Sequence, residues 1–117
     1  MRVCIVEDEL LLGKSLIRYF NSIEGFNIEY YKTYENLVPD DSVDVYFLDH
    51  DNPYGINGSR WLEFYGSNVR PNKRLLTSGD ISKWNDFVGV KLLKPYSLKD
   101  LEDTLDLMYD NNKRFRK

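Results

Sequence analysis

Four short groups of residues, spread along the chain, have the types that metal and phosphoryl chemistry needs. They are the acidic pair Glu7-Asp8, the lone acid Asp49, the hydroxyls Thr77-Ser78 and the dipeptide Lys94-Pro95. Carboxylate oxygens suit a hard divalent cation such as Mg2+, which keeps several waters besides. A carboxylate is also a nucleophile already charged at neutral pH, so a phosphoryl group can move onto it without a general base. The obstacle is repulsion between two anions, which a cation and a fixed ammonium relieve. Glu7, Asp8 and Asp49 offer the oxygens, with a backbone carbonyl after Asp49 as a further ligand. Lys94 offers the ammonium, and a hydroxyl at Thr77 or Ser78 a further donor.

Each group closes a short apolar run: Val3 to Val6, Val43 to Leu48, Leu75-Leu76 and Val88 to Leu93. If these runs are parallel strands, all four groups lie at the strands' carboxyl ends, where open α/β sheets bind ligands. The remaining pattern agrees. Glu9 to Ile23 shows Leu12, Leu16, Tyr19 and Ile23 at helical spacing, broken by Glu24-Gly25. Asn27 to Thr33 reads as a second strand. Tyr34 to Val38 is a short helix at most, stopped by Pro39. A helix with Trp61, Leu62 and Tyr65 inward follows the loop from Asp51 to Gly58. Pro71 precedes a strand from Lys73 to Thr77, and Ile81 to Phe87 allows barely two turns of helix. Ser97 to Asp100 is a capping box opening a last helix, with Leu98, Leu101, Leu105 and Met108 on one face. Five strands alternating with five helices predict a doubly wound, five-stranded parallel sheet with its second and fourth helices shortened.

The 117 residues fit one domain, residues 1–117, and a hydrophobic content of 42% is enough for a core. The formal net charge of -3 argues against a nucleic-acid surface. Cys4, the only cysteine, reads as a small buried hydrophobe, and no disulfide can form within the chain. No apolar stretch reads as a signal peptide or membrane span, so a cytoplasmic protein is expected. The basic tail from Lys113 to Lys117 reads as a solvated terminus.

The chain resembles the receiver domain of two-component response regulators, from end to end. The residues that carry the resemblance are Val6-Glu7-Asp8-Glu9, Phe47-Leu48-Asp49 with Pro53, Leu76-Thr77-Ser78-Gly79 and Leu93-Lys94-Pro95-Tyr96. The resemblance implies a flavodoxin-like fold and phosphorylation of Asp49 by a histidine kinase or histidine phosphotransfer protein. It implies Mg2+ held by Glu7, Asp8, Asp49 and the carbonyl of Asp51. Ser78 stands at the family's switch hydroxyl with Thr77 before it, Lys94 at the family's lysine, and the Lys94-Pro95 bond is expected to be cis. Asp51 and Asp80 stand where the family tunes the lifetime of the phosphoryl group. No DNA-binding domain follows, so signalling by docking to a downstream protein is expected, with a homodimer left open.

Two departures stand out. The stretch from Ser78 to Lys94 is shorter than in the family, and Lys91 occupies the position of its aromatic residue or histidine. Both fall on the family's usual output face, so output through another surface is expected. Two other readings fit some residues. A haloacid-dehalogenase-like phosphatase, or a receiver-like domain processing cyclic phosphates, would use Asp49 and Asp51, with His50 drawn in for the latter. A pseudo-receiver would bind partners without phosphorylation.

Overall fold

A computed structural model describes residues 2–23, 25–52 and 55–108. Glu24, Pro53 and the basic tail from Lys113 to Lys117 lie outside the described residues. The strands are β1 (Arg2–Val6), β2 (Asn27–Tyr31), β3 (Val45–Asp49), β4 (Arg74–Ser78) and β5 (Val90–Leu93). The α-helices are α1 (Leu10–Asn21), α2 (Gly58–Phe64) and α3 (Leu98–Met108), and 3-10 turns span Pro71–Lys73 and Ile81–Trp84. All pairings are parallel, in the order β2-β1-β3-β4-β5. The central strand β3 is buried at every residue, as a strand covered on both faces must be.

Strand alternation divides the core in two. Val3, Ile5, Val45, Phe47, Leu75 and Leu92 face α1 and α3, meeting Leu16, Phe20, Leu101 and Leu105. Cys4, Val6, Tyr46, Leu48 and Leu76 face the other way, toward Trp61, Leu62, Tyr34 and Trp84. Cys4 is buried and its thiol donates to Glu29 Oε1 at 3.2 Å, so the small-hydrophobe reading omits one polar contact.

The shortened helices are the fold's distinctive feature. Residues 32–36 form bends and a turn in place of a second helix. Tyr34 and Leu37 are buried there as anchors, with Pro39 just beyond. The fourth helix is reduced to the 3-10 turn Ile81–Trp84, and its Trp84 is completely buried. The predicted inward face of α2 keeps Trp61 and Leu62 but not Tyr65, which is 62% exposed. The helix ends at Phe64, so the Tyr65 backbone leaves helical geometry and its ring turns outward. On α3 the inward face is Leu101 and Leu105, and Leu98 is exposed. On that side β5 offers only Leu92, so the first turn of α3 has little apolar surface to meet. On α1 Phe20 joins Leu16 as the fully buried pair, with Leu12 and Tyr19 flanking. The capping box forms as expected: Asp100 N–H donates to Ser97 Oγ and Ser97 N–H to Asp100 Oδ2, each at 3.0 Å.

Candidate functional site

Glu7 and Asp49 sit on one face of the sheet because each lies two residues past a core residue of that face, Ile5 and Phe47. Thr77 follows Leu75 in the same way and pairs with Asp49 in register. Aromatic hydroxyls fix the backbone here. The Tyr30 hydroxyl donates to the Glu7 carbonyl at 2.5 Å, and the Tyr34 hydroxyl donates to the Asp49 carbonyl. His50 N–H donates to the Thr77 carbonyl at 2.9 Å, tying β3 to β4 just past Asp49. Lys94 N–H donates to the Ser78 carbonyl at 3.0 Å, and the Lys94-Pro95 bond is cis, as expected.

The Lys94 ammonium reaches back across the sheet. Its Nζ lies 2.9 Å from Glu7 Oε1, 3.3 Å from Asp49 Oδ1 and 4.0 Å from Glu9 Oε2. Glu7 and Asp49 are completely buried, and oxygens of Glu7, Asp8 and Asp49 lie within 4.8 Å of one another. Burial, then the charge of Glu7, pushes the Asp49 carboxyl up to about 8. Burial raises the Glu7 carboxyl as well, against the pull of Lys94. Burial opposes the charged form of Lys94, but Glu7 and Asp49 outweigh it and hold the ammonium above its ordinary value. One ammonium therefore faces three carboxylates, and Asp49 Oδ2 is buried without a hydrogen-bond partner. Oxygen donors with excess negative charge and an unsatisfied oxygen fit a hard divalent cation. Asp8, Asp49, Asp51, Gly79, Lys94 and Tyr96 line a cleft over this cluster. A larger cleft between Val38 and Lys73, lined by Tyr46 and Tyr65, holds no such group of acids.

The remaining expected residues separate from this cluster. Ser78 lies on the opposite face, next to Leu76 in the alternation, and is completely buried. Its hydroxyl donates to Asp51 Oδ2 and accepts from Asp80 N–H, both at 3.0 Å. Thr77, on the Asp49 face, has a buried hydroxyl without a partner. Asp51 Oδ1 also receives Lys83 Nζ at 2.9 Å and lies 3.2 Å from His50 Nδ1. Burial alone would raise the Asp51 carboxyl, but hydrogen bonds from Lys83, His50 and Ser78 bring it down to about 2. The Asp80 carboxylate caps the 3-10 turn, accepting from Ser82 N–H and Ser82 Oγ. It is engaged locally rather than with Asp49. Lys91 is exposed on the outer face of β5.

Sequence reasoning misses Lys83, Tyr34 and Trp84. Trp84 donates its indole N–H to the Thr77 carbonyl at 2.9 Å and meets the His50 ring edge-on. The His50 contact joins the loop after β3 to the turn after β4. The available signals were weak: a tryptophan in a stretch too short for a helix, and a lysine three residues past Asp80.

No protein-family model matches the chain, and no curated protein matches it. Solved structures do. The non-phosphorylated HemR receiver domain from Leptospira biflexa superposes with a TM-score of 0.76 at 22% identity, over 92% of each chain. The receiver domain of the hybrid histidine kinase CckA gives 0.75 at 19% identity, over 92% of this chain and 98% of that one. The response regulator TrrA from Thermotoga maritima, in complex with Mg2+ and BeF, gives 0.74 at 18% identity, over 92% and 97%.

Proposed function

We propose that this chain, which has the fold of response-regulator receiver domains, accepts a phosphoryl group on Asp49 and signals through the change this brings. One observation carries the reading. Buried Glu7 and Asp49, with Asp8, converge at the strand ends around the Lys94 ammonium, and one Asp49 oxygen is left unpartnered.

The chemistry follows from those groups. With its proton displaced, as a bound cation would do, an Asp49 oxygen attacks phosphorus, and the bond from phosphorus to the donor's nitrogen breaks, its electron pair leaving with the donor imidazole. The product is an acyl phosphate. Water later attacks the same phosphorus, the bond to Asp49 breaks, and the carboxylate and inorganic phosphate are regenerated. Lys94, whose Nζ lies 2.9 Å from Glu7 Oε1 and 3.3 Å from Asp49 Oδ1, would pair with a phosphoryl oxygen. Thr77 and Ser78 are the hydroxyls at hand. Glu7, Asp8 and Asp49, with the Asp51 carbonyl, would hold Mg2+, which when bound offsets the negative charge brought by the phosphoryl group.

The donor class that fits is a histidine kinase or histidine phosphotransfer protein, and the output is docking to a protein partner. No helix among the described residues is long and apolar enough to cross a membrane, and a cytoplasmic setting is part of the proposal. Lys91, exposed in place of a switch aromatic, and the reduced fourth helix favour an output surface other than the usual one. Incubation with a small phosphodonor and Mg2+, followed by mass spectrometry, tests the reading. The expected result is a gain of one phosphoryl group that is absent in Asp49→Ala. Repeated turnover of an aryl phosphate would instead favour the phosphatase reading. Partner binding unchanged in Asp49→Asn would favour a phosphorylation-independent module.

A further inference from the structure

The Ser78 hydroxyl has one proton, and Asp51 holds it. A hydroxyl in that state cannot also donate to a phosphoryl oxygen on Asp49. Asp51 is itself held in place by Lys83 through its other oxygen, with His50 beside it. Lys83 belongs to the 3-10 turn Ile81–Trp84, and the next residue, Trp84, is fastened to the Thr77 carbonyl. One carboxylate thus ties together the loop after β3, the end of β4 and the turn that replaces the fourth helix.

We propose that Asp51 and Lys83 form a charge latch that withholds the Ser78 hydroxyl and pins the turn Ile81–Trp84 until an anionic group arrives on Asp49. The inference rests on the phosphoacceptor reading above and adds its regulation. A phosphoryl group carries more negative charge than the carboxylate it modifies and lies two residues from Asp51, so it repels that side chain. The same charge competes for the Ser78 proton, and Asp51, driven off, gives up Lys83 as well. Both leave Asp51, and the turn loses its charged anchor. The Asp51–Lys83 pair is about half exposed, so it is weak enough to exchange partners. The buried Ser78 end makes the exchange specific to this site.

The test uses beryllofluoride with Mg2+ as the phosphoryl mimic, with binding read by fluorine NMR and the turn by amide hydrogen exchange over residues 80–87. Asp51→Ala should bind the mimic about tenfold more tightly than wild type, the scale of one hydrogen bond to a charged group. In a Ser78→Ala background most of that gain should be lost, because the freed hydroxyl produces most of it and only relief of charge repulsion remains. Exchange over 80–87 should rise in wild type on binding, and should already be high in Asp51→Ala without the mimic. Asp51→Asn keeps the shape and removes the charge, so it should release Lys83 and raise exchange in the same segment even if the alanine variant folds poorly. A gain of undiminished size in Ser78→Ala would reduce the effect to simple charge repulsion and overturn the latch. So would mimic binding that leaves the turn's exchange unchanged. Failure of wild type to bind the mimic at all would overturn the phosphoacceptor reading together with the latch.

Discussion

Trp84 donates its indole N–H to the carbonyl of Thr77 at 2.9 Å, one residue before the hydroxyl that Asp51 holds. The ring also meets His50 and Phe87 edge-on, with centroids 5.1 Å and 5.8 Å away. A single side chain therefore covers the part of β4 that a longer helix would cover. Trp84→Ala should destabilise the chain by about 3–5 kcal/mol, because the cavity adds to the lost burial. Trp84→Phe should cost about 1–2 kcal/mol, since the Thr77 carbonyl keeps the His50 N–H. Urea denaturation measures both, and a loss below about 1 kcal/mol for Trp84→Ala would mean the turn is not an anchor.

Gly58 opens α2 directly beneath this ring. A Cβ there would come within 2.6 Å of Trp84 Cη2 and 2.7 Å of the Tyr34 hydroxyl oxygen. Both neighbours are fully buried and hydrogen-bonded, so neither can give way cheaply. Gly58→Ala should cost about 1–3 kcal/mol, as overpacking does. The same denaturation checks it, and a neutral result would show that the two rings can move.

The acid cluster sets a pH dependence whose sign can be stated. The Asp49 carboxyl titrates near 8 when folded, against an ordinary value of 3.8. Between these values the folded chain holds a proton that the unfolded chain has released. Raising the pH through that window therefore lowers stability. Glu7 shifts in the same direction. Asp51 shifts the other way, but its contribution is lost only below about pH 4, as pH falls toward about 2. In EDTA, the melting temperature should fall as pH rises from about 4 to about 8. Millimolar Mg2+ should reverse the loss, with a larger gain at high pH, where no proton competes for the carboxylates. A melting temperature indifferent to Mg2+ throughout would sink the metal assignment.

Glu7→Gln gives a test in which two outcomes move in opposite directions. It removes one buried charge from beside Asp49 while its remaining oxygen can still accept from Lys94. The variant should melt higher than wild type in EDTA at pH 8, because like charges in a buried site repel. It should also lose the Mg2+-dependent gain, having given up a metal ligand. A variant that melts lower in EDTA would show that the Glu7 contacts to Lys94 and to the Glu9 N–H together outweigh the repulsion.

The strand ends are legible in the sequence because buried parallel strands are nearly continuous apolar runs, and the residue that breaks each run is a polar side chain at its carboxyl end. That logic finds Glu7, Asp49, Thr77 and Lys94 directly. The division of faces comes from the structure, where alternation counted from Ile5 and Phe47 carries over to Glu7 and Asp49. The same logic does not find what Asp51 does. Whether that carboxylate meets a metal, Ser78 or Lys83 depends on how the β3–α2 loop lies against the turn after β4, and no local pattern encodes that. Tyr65 and Leu98 fail for a related reason. Helical spacing assigns them to an inward face, but the end of α2 and the edge position of β5 leave them nothing to pack on.

Reducing the fourth helix to one turn leaves open the face of β5 that carries Lys91 and Leu93, with Leu93 53% exposed. An edge strand with bare apolar side chains is a template on which other chains can add strands. Lys91 is the other residue of that face. An ammonium there must be stripped of water before another strand can stack against it. The residue that stands in place of the expected aromatic therefore puts a desolvation cost on any strand added at this edge.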